Sequence, residues 1–365
     1  MKKTRKISSV LLTALPLGDD GVALKSCGIG GGEFGEDSNR ELEYKLLDND
    51  TYEVIGIGWL SDADIVIIPS TYKGKAVTSI GNGAFSYCES LTNVVIPTGV
   101  TNIGNSAFSW CESLTSVEIP DSVTNIGEEA FFGCYRLTRV YYMGDVESWC
   151  KISGLECLMV ASNIKLYLKN ELVTDLVIPA RVTCIGESAF EGCTDLTRVI
   201  IGNNVTSIGK SAFYGCTGLT NVKIGDNVTS IGESAFYGCA GLTNVKIGDN
   251  VTSIGESTFY GCTGLTNVKI GDSVTNIGEG AFEDCENLTN VVLPVSVTSI
   301  GGYVFNGSRL TDVYYKGTEE EWKKISIDPN NSYLKGATRY YYSETKPTVD
   351  GNWWHYVDGE VVTVW

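Results

Sequence analysis

The sequence predicts a mainly β solenoid of 23-residue coils, and three observations carry that prediction. First, the marker V-T-x-I-G begins at Val77, Val100, Val123, Val182, Val205, Val228, Val251, Val274 and Val297. The spacing is 23, 23 and 59, then 23 five times, so three coils are followed by an insertion of 36 residues and six more coils. Second, residues 208–230 and 231–253 differ at only two positions. Third, each coil places small and apolar residues in the same columns, such as Cys216, Leu219, Val222, Ile224, Val228, Ile231, Ala235 and Phe236. A coil of this size cannot bury its own apolar edge, whereas a stack of coils can.

Within a coil, Leu219-Thr-Asn-Val222-Lys-Ile224 ends in period-two alternation, the pattern of a strand with one buried face. Val228-Thr-Ser-Ile231 is a second short β-prone piece. Gly225, Asp226, Asn227 and Gly232 supply the turns between them. No helix of useful length fits in what remains. The Phe column (Phe85 to Phe305) and the Leu column (Leu91 to Leu310) then become continuous spines. Strands stack at about 4.8 Å per rung.

The elements follow in chain order. Residues 1–26 read as an export signal, with Lys2 to Lys6 basic and an apolar run to Leu17. Leu24-Lys25-Ser26-Cys27-Gly28 resembles a lipobox, which makes Cys27 the candidate lipidation site. Residues 27–40 are Gly-rich and acidic, as a flexible tether is. Residues 41–75 read as strands around an Asn-Asp turn, forming an N-terminal β cap. The first array spans 76–143, the insertion 144–175 and the second array 176–316. The final segment, 317–365, reads as a helix followed by an aromatic hairpin around Asp358-Gly359.

The insertion opens YYMGDVESWCKIS from Tyr141, and YYKGTEEEWKKIS opens from Tyr314 after the last coil. Both keep Gly, Trp, Lys and Ile in register. Thr318 and Glu321 have capping-box spacing, and Trp149 and Trp322 fall on the apolar face of a short helix. The expectation is two arrays, of three and six coils, each closed by the same helical cap over an otherwise open edge.

The repeat C-x-x-L-x-x-V-x-I-x-x-x-V-x-x-I-G-x-x-A-F closely resembles the BspA-like (Treponema-type) leucine-rich repeats of bacterial surface proteins, over about residues 76–316. Its departures are local: Thr258 and Val304 replace Ala, and Ser308 replaces the last Cys. The resemblance implies surface exposure and adhesion, with an extracellular protein or surface macromolecule of a host or another bacterium as partner. A carbohydrate- or wall-associated module, with the array as spacer and the aromatic tail binding, is the alternative.

Composition narrows the choice. A net charge of −17, from 27 basic and 44 acidic residues, argues against nucleic acid and against tight binding to anionic lipid. No apolar run of 18 residues could span a bilayer. A monomer is expected, touching membrane only through a lipid on Cys27. His355 is the sole histidine and stands between Trp354 and Tyr356 in the tail, so neither a catalytic triad nor a histidine metal cluster is expected, and no cofactor.

Eight cysteines (Cys88, Cys111, Cys134, Cys193, Cys216, Cys239, Cys262 and Cys285) share one column and are expected as reduced, buried thiols donating to turn carbonyls. Cys150, Cys157 and Cys184 fall outside the column, and a Cys150–Cys157 link is the minor alternative to free thiols there. The candidate contact residues are repeated, outward-facing columns: Asn221, Asn244 and Asn267; Lys223, Lys246 and Lys269; and Tyr214, Tyr237 and Tyr260 on another edge. Such columns can meet an extended ligand by avidity, or can simply keep a duplicated sheet soluble. The Asp226, Asp249 and Asp272 row is a weaker candidate for calcium.

Overall fold

Each 23-residue coil contributes one strand of three or four residues, one strand of two residues, and a hydrogen-bonded turn segment, and like pieces stack into columns. The computed structural model describes residues 42–58, 63–159, 163–357 and 361–365. The segments read from the sequence as an export signal (1–26) and a tether (27–40), with Cys27, lie outside the described residues, as does the Asp358-Gly359 turn.

The long-strand column begins with Ile65–Ile67 and runs in parallel through Asn93–Val95, Ser116–Ile119 and Arg139–Tyr142 to Lys165–Leu168. The antiparallel Glu171–Leu172 closes this sheet through a turn at Lys169 and Asn170, both at positive φ. A three-stranded sheet follows: Asp175–Val177, Arg198–Ile200 and Asn221–Lys223. The last sheet holds Asn244–Lys246, Asn267–Lys269, Asn290–Leu293, Asp312–Tyr315 and Thr338–Tyr342 in parallel. It ends in Trp353–Val357, paired antiparallel with Val361–Val364.

The two-residue column is more continuous. From Cys184–Ile185 it runs unbroken through the second array to Ser326–Ile327. At the N-terminus, Glu43–Leu46 pairs antiparallel with Tyr52–Gly56, which leads into Lys75–Ile80, so the expected N-terminal hairpin sits on this column. The nine marker coils thus become about 12 turns, because both ends and the insertion each build a coil without the marker.

The turn column is held by backbone bonds between coils. Phe213 N–H donates to the Ala235 carbonyl and Gly215 N–H to the Tyr237 carbonyl, each one coil ahead. Alternating with them, Ala212 and Tyr214 donate locally, three residues back. Close approach of coils explains the glycine of the marker: a Cβ on Gly232 would stand 2.7 Å from the Lys210 nitrogen.

The core is one cluster from Val54 to Leu334. The Phe rings stack nearly parallel, with Phe236 and Phe259 centroids 5.3 Å apart at 1°. Full burial of such a side chain contributes roughly 1.5–3 kcal/mol, and the offset stack adds about 0.5–1.5 kcal/mol per pair. The thiols meet the expectation directly. Cys216 Sγ lies 3.1 Å from the Phe190 carbonyl and Cys239 Sγ 3.2 Å from that of Phe213, and the described cysteines are all free. The local Cys150–Cys157 link is not formed. Cys150 caps the C-terminus of the first short helix and Cys157 ends a 3-10 turn, and both are free.

Both short helices are present, Val146–Trp149 and Glu319–Trp322. Thr318 and Glu321 form the expected capping box, and Asp145 with Ser148 forms a second one. Trp149 packs against Tyr142 and Trp322 against Tyr315, at 5.2 and 5.3 Å. The first helix does more than close an array. The Trp149 indole is fully buried and donates to the Ala189 carbonyl in the next coil at 2.7 Å. Phe131 N–H bonds the Cys157 carbonyl, and Ile164 N–H bonds that of Gly192. The insertion therefore bridges backbone on both of its sides.

Candidate ligand groove

The long strands of the second array turn Asn and Lys outward and Val inward, so Asn244, Lys246 and Asn267 are exposed while Val245 and Val268 are buried. Parallel pairing in register sets Asn244 beside Asn267 and Lys246 beside Lys269. The amides form a ladder: Asn290 Nδ2 donates to Asn267 Oδ1 at 3.2 Å, and Asn267 Nδ2 to Asn244 Oδ1 at 3.3 Å. Each of the three also donates to the hydroxyl of the preceding threonine. The remaining carbonyl lone pairs face solvent.

Beyond Lys269 the same register position becomes Val292 and then Tyr314. This apolar stretch is covered by the C-terminal hairpin. Trp354 is fully buried there, and its Nε1–H donates to the Tyr315 carbonyl at 2.9 Å. Tyr314, Tyr342 and Tyr356 pack around its ring at 5.7, 5.1 and 4.9 Å. Tyr356 reaches furthest. Its ring lies under the Lys269 ammonium at 5.1 Å and the Lys316 ammonium at 5.8 Å. Lys316 is fixed by an ion pair with Asp272. Burial is the largest single influence on the Lys316 ammonium and works to lower it, but the Asp272 hydrogen bond together with the charges of Asp272 and Asp249 and the Tyr356 phenol holds the group above its ordinary value. Burial pushes the Tyr356 phenol up, keeping it neutral.

Sheet and hairpin enclose a groove of about 450 Å³. Its floor is Asn244, Lys246, Asn267, Lys269 and Asn290, and its wall is Tyr314, Tyr356 and Val362. One side is amide and ammonium with Val245, Val268 and Val292 between them; the other is mainly aromatic.

The groove gathers only part of the sequence-derived columns. Asn244, Asn267, Lys246 and Lys269 line it. Asn221 and Lys223 do not, because the long-strand column breaks between Lys223 and Asn244 and places them on a different sheet. Tyr214, Tyr237 and Tyr260 lie on the turn column, stacked at 4.6 Å with planes 9° and 6° apart. Their faces cover one another, so most of the aromatic surface is spent within the stack. Tyr260 is pushed up to about 12 by its hydrogen bond to Asp284, with burial adding to it. The Asp row also has internal partners. Asp249 Oδ1 accepts the Asp272 N–H at 3.2 Å, and Asp272 binds Lys316. His355 stacks on Trp365 at 3.8 Å.

Sequence reasoning missed Tyr314, Tyr356 and Val362 as groove residues. The signal was the loss of the Lys column at Val292, which marks where an apolar partner must land.

Fold and site together define a leucine-rich-repeat β solenoid with a surface groove on one sheet. The chain matches the BspA type leucine rich repeat region, in six copies, over residues 66–157, 163–233 and 206–328, which is more than half its length. It belongs to that family. No curated protein sequence matches the chain. Among solved structures, a leucine-rich repeat protein from Bacteroides ovatus is 26% identical, with a TM-score of 0.46, covering 85% of this chain and 100% of that one. A leucine rich cell surface protein from Faecalibacterium prausnitzii is 25% identical, with a TM-score of 0.41, covering 79% and 96%. The pneumococcal vaccine antigen PcpA is 17% identical, with a TM-score of 0.43, covering 84% and 92%.

Proposed function

We propose that this protein acts outside the cell as a non-catalytic binding protein, and that it holds a surface macromolecule of a host or another bacterium in the groove between the Asn/Lys rows and the C-terminal hairpin. Family membership supports a binding or adhesive role. The observation that carries the reading is the joining of two unlike surfaces: Tyr356 from the tail lies over Lys269 of the array. A ligand reaching both gains contacts that neither offers alone.

The tail acting alone, with the array as spacer, is less well supported. Trp354, its largest flat ring, is buried against the array. A shared groove also removes the need for a long row of weak contacts along every coil.

The test is capture of surface fractions by the full chain and by a chain lacking residues 347–365. The reading expects capture to fall at least tenfold on deletion and to fall equally with Lys246→Glu plus Lys269→Glu in the intact chain. Loss on deletion with no effect of the lysine changes would support the tail alone. No effect of either would refute the groove.

A further inference from the structure

We infer that the groove takes an acidic glycan, a sugar chain bearing carboxylate or sulfate groups, with the anionic groups on Lys246 and Lys269 and sugar faces against Tyr356 and Tyr314. This rests on the reading of the groove as the binding site.

Charge is the first argument. The chain carries −17 overall, yet Lys246 and Lys269 stand in register on adjacent strands. Like charges directly opposite one another are destabilising in a sheet. Among the described residues, neither lysine forms an ion pair within 4.0 Å, although Lys75, Lys210, Lys316 and Lys323 each do. Lys269 has an aromatic ring for a partner instead of a carboxylate. Two unneutralised ammonium groups carried by adjacent strands, whose backbones lie about 4.8 Å apart, are complementary to a chain with regularly spaced anions.

The pairing of the floor strands favours a glycan over an acidic peptide. An extended peptide draws much of its affinity from main-chain hydrogen bonds at a free sheet edge. The groove lies on the face of a sheet. Asn267–Lys269 and Asn290–Leu293 are paired on both sides, and the one open edge, that of Asn244–Lys246, packs beside Asn221–Lys223. What the floor offers is side-chain amides and ammonium groups, which suit hydroxyls and acid groups. The wall offers aromatic rings, which suit the apolar faces of sugar rings.

The test is calorimetric titration of the full chain with four probes: an oligogalacturonate, its methyl ester, a heparin oligosaccharide and a poly-glutamate peptide. The expected result is binding of at least one acidic glycan, at least tenfold tighter than the neutral ester or the peptide, and weakening as salt rises. Whether the carboxylated or the sulfated chain binds better identifies the anion. Lys246→Glu plus Lys269→Glu should weaken this binding at least tenfold, with an unchanged circular dichroism spectrum. Lys223→Glu, beyond the sheet break, should not. Equal binding of the neutral ester, preference for poly-glutamate, or indifference to the paired lysine change would each overturn the inference. If the paired change abolishes capture of a surface macromolecule while neither acidic glycan binds, this inference falls and the groove reading stands. If capture is also unaffected, both fall.

Discussion

Trp354 donates its indole N–H to the carbonyl of Tyr315 at 2.9 Å, across 39 residues of chain. That bond lays the C-terminal hairpin on the sheet face and turns a flat surface into a groove. Replacing Trp354 by Phe keeps most of the ring but removes the donor. We expect a loss of about 1–3 kcal/mol, the cost of leaving a buried partner unsatisfied. The loss should be local. Limited proteolysis should cut residues 343–352 faster while the denaturant midpoint of the array barely moves.

Trp149 tests the insertion in the same way. Its indole is buried and bonded to Ala189, so it couples coils on either side of the insertion. Trp149→Ala should cost roughly 3–5 kcal/mol. Because a repeat array holds together through nearest-neighbour interfaces, unfolding should split from one transition into two. A single transition in calorimetry of the variant would contradict that coupling role.

Core and surface columns should separate cleanly in denaturant titrations. Phe236→Ala removes a fully buried ring stacked on two neighbours and should cost about 3–5 kcal/mol. Lys246→Glu changes an exposed side chain without an ion pair and should stay within about 0.5 kcal/mol.

The cysteine column makes a pH prediction. Burial raises the thiols of Cys193, Cys216, Cys239, Cys262 and Cys285, with Cys285 reaching about 12 from its ordinary 9.0. The folded state then holds its thiol protons more tightly than the unfolded state. The corresponding stability is fully present below pH 9 and is lost as pH rises towards 12. Denaturant midpoints should fall over that window and should fall less in Cys285→Ala. These five buried thiols should also stay silent to a disulfide reagent at pH 8, because thiolate is the reactive form, while the exposed Cys184 should react.

The coil was legible because burial dictates residue type at every turn, and nine turns restate it. Phe236, Leu242 and Gly232 each answer to the coil above and below. The groove was only half legible. Asn244 and Lys246 show as repeated outward positions, but nothing periodic ties Tyr356 to Lys269, 87 positions earlier. Their meeting depends on how one hairpin lands on one sheet. The same limit applies to Trp149: a capped helix could be read from its spacing, whereas a bond to Ala189 needs the coils stacked. The break between Lys223 and Asn244 left no trace at all, since the two coils are almost identical in sequence.

On the proposed function, binding belongs to the groove and not to the tyrosine stack on the turn column. The direct measurement is surface plasmon resonance of one captured surface macromolecule against three proteins: the intact chain, Tyr356→Ala with Lys269→Glu, and Tyr214→Ala with Tyr237→Ala. Binding in the groove should give at least a tenfold weaker Kd for the groove pair and an unchanged Kd for the stack pair. The reverse pattern would contradict it.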